Sequence, residues 1–295
     1  MKKGRLLGVL AMLLATLIWG SSFVVMKDTL DDVKPLLLLA ARFIIAAVVL
    51  ILVCIPRFKK LDGAYLRYGA LMGLLLGAAY IAQTYGLVWT TPGKNAFLTT
   101  FYVVLVPFLY WATDRRRPDG YNIAAAILCL AGVGLLSLSP GSVGGVNRGD
   151  MLTLLCGALY AGHIIAVKRA TEKRGDILLL TCVQFVVSAV ICLAGTLIFE
   201  GKPALPTGRP LWSVIYLGLA ATALGLFLQN WGQERVPPSP ASIILSFEAV
   251  FGAAFSLTLG YDDPKPRLFI GFALMFLAVI VSEVKPFKKK KDSGP

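Results

Sequence analysis

Glu248 is a carboxylate inside an otherwise apolar stretch of the chain, residues 240–260. It lies about eight residues into a helix that is predicted to begin near Pro240, which is a depth of about 12 Å at 1.5 Å per residue. An ionised carboxylate at that depth in a membrane is costly, so such residues usually face the protein interior and bind a charged group or relay a proton. Pairing with a neighbouring helix for packing alone is the structural alternative. Glu248 is therefore the first candidate for proton coupling or for binding an ammonium group.

Arg42 interrupts the apolar stretch LLLLAARFIIAA at residues 36–47. It lies about 10 Å along the helix from the start of that segment. A long arginine at this depth can extend toward the nearer surface. Alternatively, its planar guanidinium can hold the carboxylate of a solute. The sequence leaves both interpretations open.

Gln83 and Gln229 are amides near the ends of two apolar runs, in AQTYG and FLQNWGQERV. A polar group without a partner in hydrocarbon costs several kcal/mol, so each amide must face another polar group or a wet cavity. They are predicted either to hydrogen-bond neighbouring helices or to line a cavity. Because each amide precedes the end of its helix by a short distance, the two are expected toward opposite faces of the bundle.

The single histidine, His163, stands close to Tyr160 in a further apolar run. A titratable imidazole suits a proton role, whereas a packed neutral histidine is the simpler interpretation. One histidine does not form a metal site, and the five cysteines lie in apolar runs without metal-binding or redox spacing. No metal and no cofactor are predicted.

Aromatic side chains are predicted to line an apolar cavity suited to an aromatic or aliphatic solute. The candidates are Trp19, Tyr80, Tyr102 and Tyr160. Trp19 opens the sequence WGSS, which ends at Ser22, and its small residues permit close approach of helices beside a large ring. Because aromatic residues are common in membrane helices, these positions indicate a cavity only together with the polar candidates around them.

The elements that must position these residues are helices that span a membrane. The chain is 57% hydrophobic and 15% charged, with a mean hydropathy of +0.75, which is unlike a soluble protein. Crossing about 30 Å of hydrocarbon takes roughly 20 helical residues. Ten stretches meet that length: 6–26, 35–56, 68–89, 95–112, 121–139, 150–167, 177–199, 211–231, 240–260 and 267–284. The predicted fold is an all-α integral membrane protein of ten transmembrane helices.

Basic residues fall unevenly on the two sides of this ten-helix arrangement. More than two thirds of the 29 lysines and arginines fall at the two termini and in the loops on the same side as the termini. This bias predicts that both termini are cytoplasmic, in a multi-pass protein of the cytoplasmic membrane. The net charge of +13 follows from the same bias, so a membrane surface is the predicted partner and nucleic acid is not.

The chain also repeats itself. The sequence AQTYG at 82–86 aligns with LQNWG at 228–232, and LTTFYVV at 98–104 aligns with ILSFEAV at 244–250. Near the start, Trp19 aligns with Tyr160. The interpretation is two five-helix halves, residues 1–140 and 141–287, followed by a basic tail at 288–295. Since five is odd, the second half enters the membrane from the opposite side, which makes an inverted-topology repeat.

Four stretches carry a family resemblance: WGSSFVVMK, AARFIIAA, QTYGLVWTTPGKNAFLTTF and SPASIILSFEAVFGAAFSLTLG. Together they resemble the two EamA-type halves of the drug/metabolite transporter superfamily, over essentially all of residues 6–284. The resemblance implies a ten-helix carrier of small metabolites, commonly an exporter of amino acids or related compounds in a bacterial inner membrane. Two departures are the Ala249 after Glu248, where members often have proline, and the sequence Gly-Tyr-Asp at 260–262, where they often have Gly-Glu.

The favoured function is a secondary active transporter that works by alternating access, because inverted repeats offer two nearly equivalent packings. No phosphate-binding loop appears, so ATP does not drive it directly. A passive facilitator or channel for small solutes and an exporter of lipophilic drug-like compounds are the alternatives. An enzyme is not predicted, since no nucleophile with a positioned base is apparent. Proton coupling is open, as is the choice between monomer and homodimer.

Overall fold

A computed structural model describes residues 3–90, 92–115, 117–137, 148–204, 206–259 and 266–284, and most of these residues are helical. Helix accounts for 88% and these ranges contain no strand, which confirms the all-α prediction. The predicted boundary between the halves at 140 and 141, the sequence at 260–262 and the tail at 288–295 lie outside the described residues.

The first part of the chain forms six α-helices, and α2 continues into a short 3₁₀ segment, Ile55–Lys60. The α-helices are α1 (Lys3–Thr29), α2 (Pro35–Cys54), α3 (Gly63–Trp89), α4 (Pro92–Thr99), α5 (Tyr102–Asp114) and α6 (Gly120–Ser137).

The second part forms seven α-helices and two π-helical segments, Thr196–Glu200 after α8 and Leu217–Leu224 between α9 and α10. The α-helices are α7 (Arg148–Lys173), α8 (Ile177–Gly195), α9 (Arg209–Tyr216), α10 (Gly225–Gln233), α11 (Pro238–Leu245), α12 (Phe247–Thr258) and α13 (Pro266–Val284).

Seven helical stretches are long and apolar enough to cross a membrane. They are Lys3–Thr29, Pro35–Lys60, Gly63–Trp89, Arg148–Lys173, Ile177–Glu200, Arg209–Gln233 and Pro238–Phe255. Two further apolar stretches, Gly120–Gly132 and Phe269–Val281, are shorter. The predicted segment at 95–112 is divided between α4 and α5. Within the described ranges each predicted segment is thus mainly helical, but seven stretches there have the length and hydropathy of a span.

Two segments that the sequence predicts as continuous are broken, at positions that align in the repeat. One break lies at Thr100, between α4 and α5, and the other at Ser246, between α11 and α12. At each break a backbone N–H bonds the carbonyl three residues earlier, Val103 to Thr100 at 2.9 Å and Ala249 to Ser246 at 3.1 Å. These tighter turns replace the ordinary helical pattern. The second break places Glu248 in the first turn of α12 instead of the middle of a helix.

The outer surface of the bundle is rich in large apolar side chains. Phe199, Ile198 and Trp212 are 78%, 71% and 70% exposed. A surface of this kind is unfavourable in water and suits the hydrocarbon of a bilayer.

Charged side chains from other elements cap two helix ends that have no cap from a neighbouring side chain in the sequence. The carboxylate of Glu200 accepts the backbone N–H groups of Leu36 at 2.8 Å and Leu37 at 2.9 Å, at the start of α2. The ammonium of Lys27 donates to the carbonyl of Leu87 at 2.9 Å, at the end of α3. A negative charge at a helix start and a positive charge at a helix end both oppose the helix dipole favourably. These contacts fasten α2 and α3 to neighbouring elements.

Asp62 fixes the other end of α3. Its Oδ1 accepts hydrogen bonds from the backbone N–H groups of Ala64 at 2.9 Å and Tyr65 at 3.0 Å. Its Oδ2 accepts a hydrogen bond from Nη2 of Arg174 at 2.9 Å. The Tyr65 N–H is the main cause that lowers the pKa of Asp62 below its ordinary value, and Arg174 adds to it. The carboxylate is therefore ionised at neutral pH and holds α3 beside the end of α7.

Glycines let α3 approach α8 closely. A Cβ added at Gly69 would lie 2.6 Å from Cβ of Val183, and one added at Gly73 would lie 2.6 Å from the carbonyl oxygen of Gln184. Both distances are far below van der Waals contact. A Cβ at Gly77, one turn further along, would meet Ser188 at an ordinary 3.5 Å. The spacing of the three glycines on one face of α3 is the small-residue pattern of close helix packing.

Gly73→Ala is expected to destabilise the protein, by about 1–3 kcal/mol, because the methyl group forces α3 and α8 apart. Gly77→Ala is the matched control, since its methyl group fits and alanine favours helix. Thermal unfolding in detergent measures both. A Gly73→Ala variant as stable as Gly77→Ala would contradict this description of the interface.

Candidate functional site

Nine of the ten residues that the sequence singles out surround one interior cavity. The nine are Trp19, Ser22, Arg42, Tyr80, Gln83, Tyr102, Tyr160, Gln229 and Glu248. They come from helices of both sequence halves, and α11 adds Leu245 to the wall.

The cavity is narrow. Its volume is about 30 Å³. A buried water needs about 10–15 Å³ by that measure. The side chains thus leave room for about two waters, and a larger solute requires the helices or side chains to move.

Glu248 is almost fully buried in the cavity wall, with 6% of its surface exposed. Its Oε1 accepts a hydrogen bond from the hydroxyl of Tyr102 at 3.1 Å. The break at Ser246 places the carboxylate in the first turn of α12, where the helix dipole favours negative charge. Among the described residues no lysine, arginine or histidine forms an ion pair with it. The carboxylate can therefore accept an ammonium group or a proton from a solute in the cavity.

Arg42 is buried as well, with 2% of its surface exposed. Its Nε donates to Oγ1 of Thr222 at 2.7 Å, its Nη1 contacts Sδ of Met26 at 3.6 Å, and its guanidinium carbon lies 4.8 Å from the ring centre of Tyr80. The side chain thus turns inward and does not extend to the surface. Within the described ranges no carboxylate lies close enough to pair with it. A buried guanidinium of this kind can bind an anion.

A row of tyrosines connects the two charged groups. The ring centres of Tyr80 and Tyr160 are 5.9 Å apart, and those of Tyr160 and Tyr102 are 6.3 Å apart, both in edge-to-face geometry. Tyr80 contacts Arg42 at one end, and Tyr102 contacts Glu248 at the other. The cavity wall therefore presents a cation, three aromatic rings and a carboxylate in sequence.

The π-helical segment Leu217–Leu224 supplies two contacts that the sequence did not reveal. The hydroxyl of Thr222 accepts the hydrogen bond from Nε of Arg42. It also donates a hydrogen bond to the carbonyl oxygen of Leu217, five residues earlier, at 2.7 Å. The indole Nε1 of Trp19 donates to the carbonyl of Ala221 at 2.8 Å. Departures from α-helical hydrogen bonding of this kind are frequent at functional sites. The segment orients both Arg42 and Trp19.

Sequence reasoning missed Thr222 because a threonine in LGLAATALGLFL has no distinguishing pattern. The apolar wall residues Phe23, Met26 and Ile164 also escaped it. Helical spacing from Trp19 and Ser22 is the one signal that indicates Phe23 and Met26, since residues three to four apart share a helix face.

Both amides reach the same cavity, although the sequence places them toward opposite faces. Nε2 of Gln83 donates to Oγ1 of Thr99 at 3.1 Å, and Nε2 of Gln229 donates to Oε1 of Gln233 at 3.1 Å. Each amide therefore makes a protein hydrogen bond and also lines the cavity. The two interpretations of these residues are compatible.

His163 is the predicted site residue that does not line the cavity. It is fully buried beside Tyr160, and its Nε2 shares a hydrogen bond with Oε1 of Gln184 at 3.1 Å. Gln184 also accepts the amide of Asn230 at 3.3 Å. The histidine belongs to a polar cluster behind the cavity wall.

No group of three or more metal-binding side chains occurs in the part of the chain covered by the structure.

The family is identified by comparison with known proteins. Residues 6–138 and 147–283 each match the EamA-like transporter family. The chain belongs to this family, and its helices are those of a multi-pass membrane protein.

Individual relatives agree with this assignment. An uncharacterized transporter of Archaeoglobus fulgidus is 31% identical over 95% of this chain and 87% of its own length. A protein of Pseudomonas aeruginosa, named a probable biotin transporter, is 25% identical over 92% of this chain and 96% of its own. A crystal structure superposes with a TM-score of 0.75 at 19% identity, covering 96% of this chain and 98% of the other. That last likeness concerns the fold alone.

Proposed function

We propose that the protein is a secondary active transporter and that the cavity binds its solute. The observation that carries the proposal concerns two groups in the cavity wall: among the described residues, the Arg42 guanidinium has no carboxylate partner and the Glu248 carboxylate has no cationic partner. A zwitterion satisfies both groups. The proposed substrates are therefore amino acids or related compounds, with the carboxylate at Arg42 and the ammonium at Glu248. Export across the cytoplasmic membrane is the proposed direction.

We propose further that the chain forms two inverted five-helix halves, 1–140 and 141–287, with ten spans and both termini in the cytoplasm. Three aligned pairs line the cavity together, which supports a pseudo-twofold axis through it: Trp19 with Tyr160, Gln83 with Gln229 and Tyr102 with Glu248. The hydrogen bond between Tyr102 and Glu248 joins two aligned positions directly.

Close contacts between helices repeat in the same way. A Cβ at Gly86 would lie 3.0 Å from the carbonyl oxygen of Gly149, and one at Gly232 would lie 2.7 Å from that of Gly8. In the repeat, Gly86 aligns with Gly232 and Gly149 aligns with Gly8. Two equivalent interfaces of this kind support alternating access, in which one interface opens while the other stays closed. The narrow cavity is consistent with a conformation closed around the site.

A carboxylated vitamin is the second candidate solute. The relative from Pseudomonas aeruginosa is named a probable biotin transporter, and biotin bears a carboxylate for Arg42 but no ammonium for Glu248. In that case Glu248 serves proton coupling alone. A passive facilitator and an exporter of lipophilic compounds are the remaining alternatives, and a catalytic role is not proposed.

Uptake by the purified protein in liposomes tests the proposal. The panel contains amino acids, the matching amines without a carboxylate, the matching acids without an amine, and biotin, each with and without a pH gradient. Saturable uptake is expected, fastest for the zwitterions and slower but measurable for the matching amines and acids. Transport of apolar compounds alone, or non-saturable flux, would contradict the proposal.

Thr222→Val is expected to lower the uptake of carboxylated solutes about tenfold, because losing a hydrogen bond to a charged group costs about 1.5 kcal/mol or more and leaves Arg42 free to turn away. Thr222→Ser retains the hydroxyl and is expected to keep uptake. Uptake of the matching amine, which has no carboxylate, is measured in parallel. A structural defect would reduce uptake of the amine as well. An equal loss for both solutes would show that Thr222 acts on the fold and not through Arg42.

A further inference from the structure

A groove on the outside of the helix bundle combines basic and apolar side chains. It lies between the start of α3 and the ends of α5 and α7, and its volume is about 820 Å³. It is separate from the central cavity, since the two have no lining residue in common. We call it the basic groove.

One wall of the basic groove is a stripe along α3. Arg67, Leu71 and Leu74 follow one another at intervals of four and three residues, which places them on one helix face. Leu71 is 45% exposed and Leu74 is 53% exposed. Arg67 stands near the helix start and the leucines lie deeper along its length. The stripe therefore changes from charged at the end of the bundle to apolar toward its middle.

The opposite wall is the last part of α7. Arg169 and Lys173 are four residues apart and both line the groove. Nη2 of Arg169 donates to the carbonyl oxygen of Thr113 at 3.2 Å, which directs the guanidinium across the groove toward α5. Three cations, Arg67, Arg169 and Lys173, thus line the groove.

Two carboxylates also line the groove, and its net charge is still positive. Glu172 forms an ion pair at 2.9 Å with Lys168, which does not line the groove. This pair neutralises the charge of Glu172. Asp114 accepts the hydroxyl of Thr113 at 2.6 Å and forms no ion pair within the described residues. Arg67, Arg169 and Lys173 outnumber the one carboxylate that remains.

We propose that the basic groove binds an anionic phospholipid. The phosphate lies among Arg67, Arg169 and Lys173, and one acyl chain follows Leu71 and Leu74. Arginine matches the geometry of phosphate oxygens, and basic pockets between membrane helices on the cytoplasmic side bind acidic lipid head groups. The occupant is a lipid and not a free phosphate, because the cations continue directly into an apolar wall of exposed leucines. This site goes beyond the proposed transport of a solute.

Native mass spectrometry of the purified protein tests the site. The protein is exposed to equal amounts of phosphatidylglycerol and phosphatidylcholine in detergent micelles, and retained lipid is counted. Wild type is expected to retain phosphatidylglycerol several-fold over phosphatidylcholine. Arg67→Gln and Lys173→Gln are each expected to reduce that preference. Lys59→Gln removes the same charge from an exposed position outside the groove and is expected to keep it.

Equal retention of the two lipids by wild type, or the same loss of preference in Lys59→Gln, would overturn the proposal. A second arm separates the lipid from its head group. Soluble glycerol phosphate is expected to leave the bound lipid in place, and Leu74→Ala is expected to weaken retention with the head-group preference intact. Displacement by glycerol phosphate would show that the cations bind phosphate alone and that the apolar wall contributes nothing. Thermal unfolding confirms that each variant is folded.

Discussion

Glu248→Gln is expected to reduce amino-acid uptake by about 10- to 100-fold. Glutamine keeps the size of the side chain but cannot carry the charge that an ammonium group needs. A hydrogen bond to a charged group contributes about 1.5–3 kcal/mol, and each 1.4 kcal/mol is a factor of ten. Uptake into liposomes that contain the purified variant measures the effect.

Glu234→Gln is the matched control for this prediction. It makes the same chemical change in a carboxylate that pairs with Arg235 at the end of α10, outside the cavity. Tyr102→Phe removes the one hydroxyl that the structure places on Glu248 and is expected to have a smaller effect. Normal uptake by Glu248→Gln would remove this residue from the mechanism.

Exchange of solute at equal pH on both sides separates two roles of Glu248. If the carboxylate binds the ammonium group, exchange is lost together with net uptake. If it carries only a coupling proton, exchange continues while uptake driven by a pH gradient stops. The second result would favour a solute without an ammonium group.

Arg42→Gln is expected to reduce uptake of carboxylated solutes by about 10- to 100-fold and to spare the matching amine. The guanidinium is the cation in the cavity wall, so its loss removes the partner of a carboxylate and nothing that the amine uses. Arg42→Lys keeps the charge without the planar fork and is expected to be intermediate. Parallel uptake of an amino acid and its decarboxylated analogue measures the difference.

The protein controls for this experiment are Arg57→Gln and thermal unfolding. Arg57 is partly exposed and pairs with Asp176 away from the cavity, so its replacement is expected to leave the uptake of both solutes unaffected. Arg42 also contacts Thr222 and Tyr80, and unfolding temperatures show whether the variant is still stable. An equal decrease for the acid and the amine would indicate a structural role for Arg42.

Much of the cavity lining could be predicted from the sequence because polar atoms are costly in an apolar medium. Arg42, Gln83, Gln229 and Glu248 each interrupt a long apolar run, and such residues have few places to go other than a shared interior cavity. His163 interrupts a run in the same way but is satisfied by Gln184 behind the wall. Helical periodicity does not distinguish a residue that lines the cavity from one that packs behind its wall, since the side chain is buried in both cases.

Other features depend on tertiary contacts that a single sequence does not contain. The breaks at Thr100 and Ser246 occur at small polar residues that also occur within continuous helices. The π-helical segment Leu217–Leu224 shifts the backbone hydrogen bonds by one residue, which leaves no mark in composition. Hydropathy predicted the positions of the helices well, but not which of them are broken.

Counterflow in liposomes is the most direct measurement of whether the cavity works as a carrier site. The purified protein is reconstituted, the liposomes are loaded with an unlabelled amino acid, and uptake of the labelled compound is followed at equal pH. A site exposed alternately to each side predicts saturable uptake that internal amino acid accelerates, with weaker acceleration by the decarboxylated amine. Uptake that rises linearly with concentration and ignores the internal solute would identify a passive pore and contradict transport by alternating access.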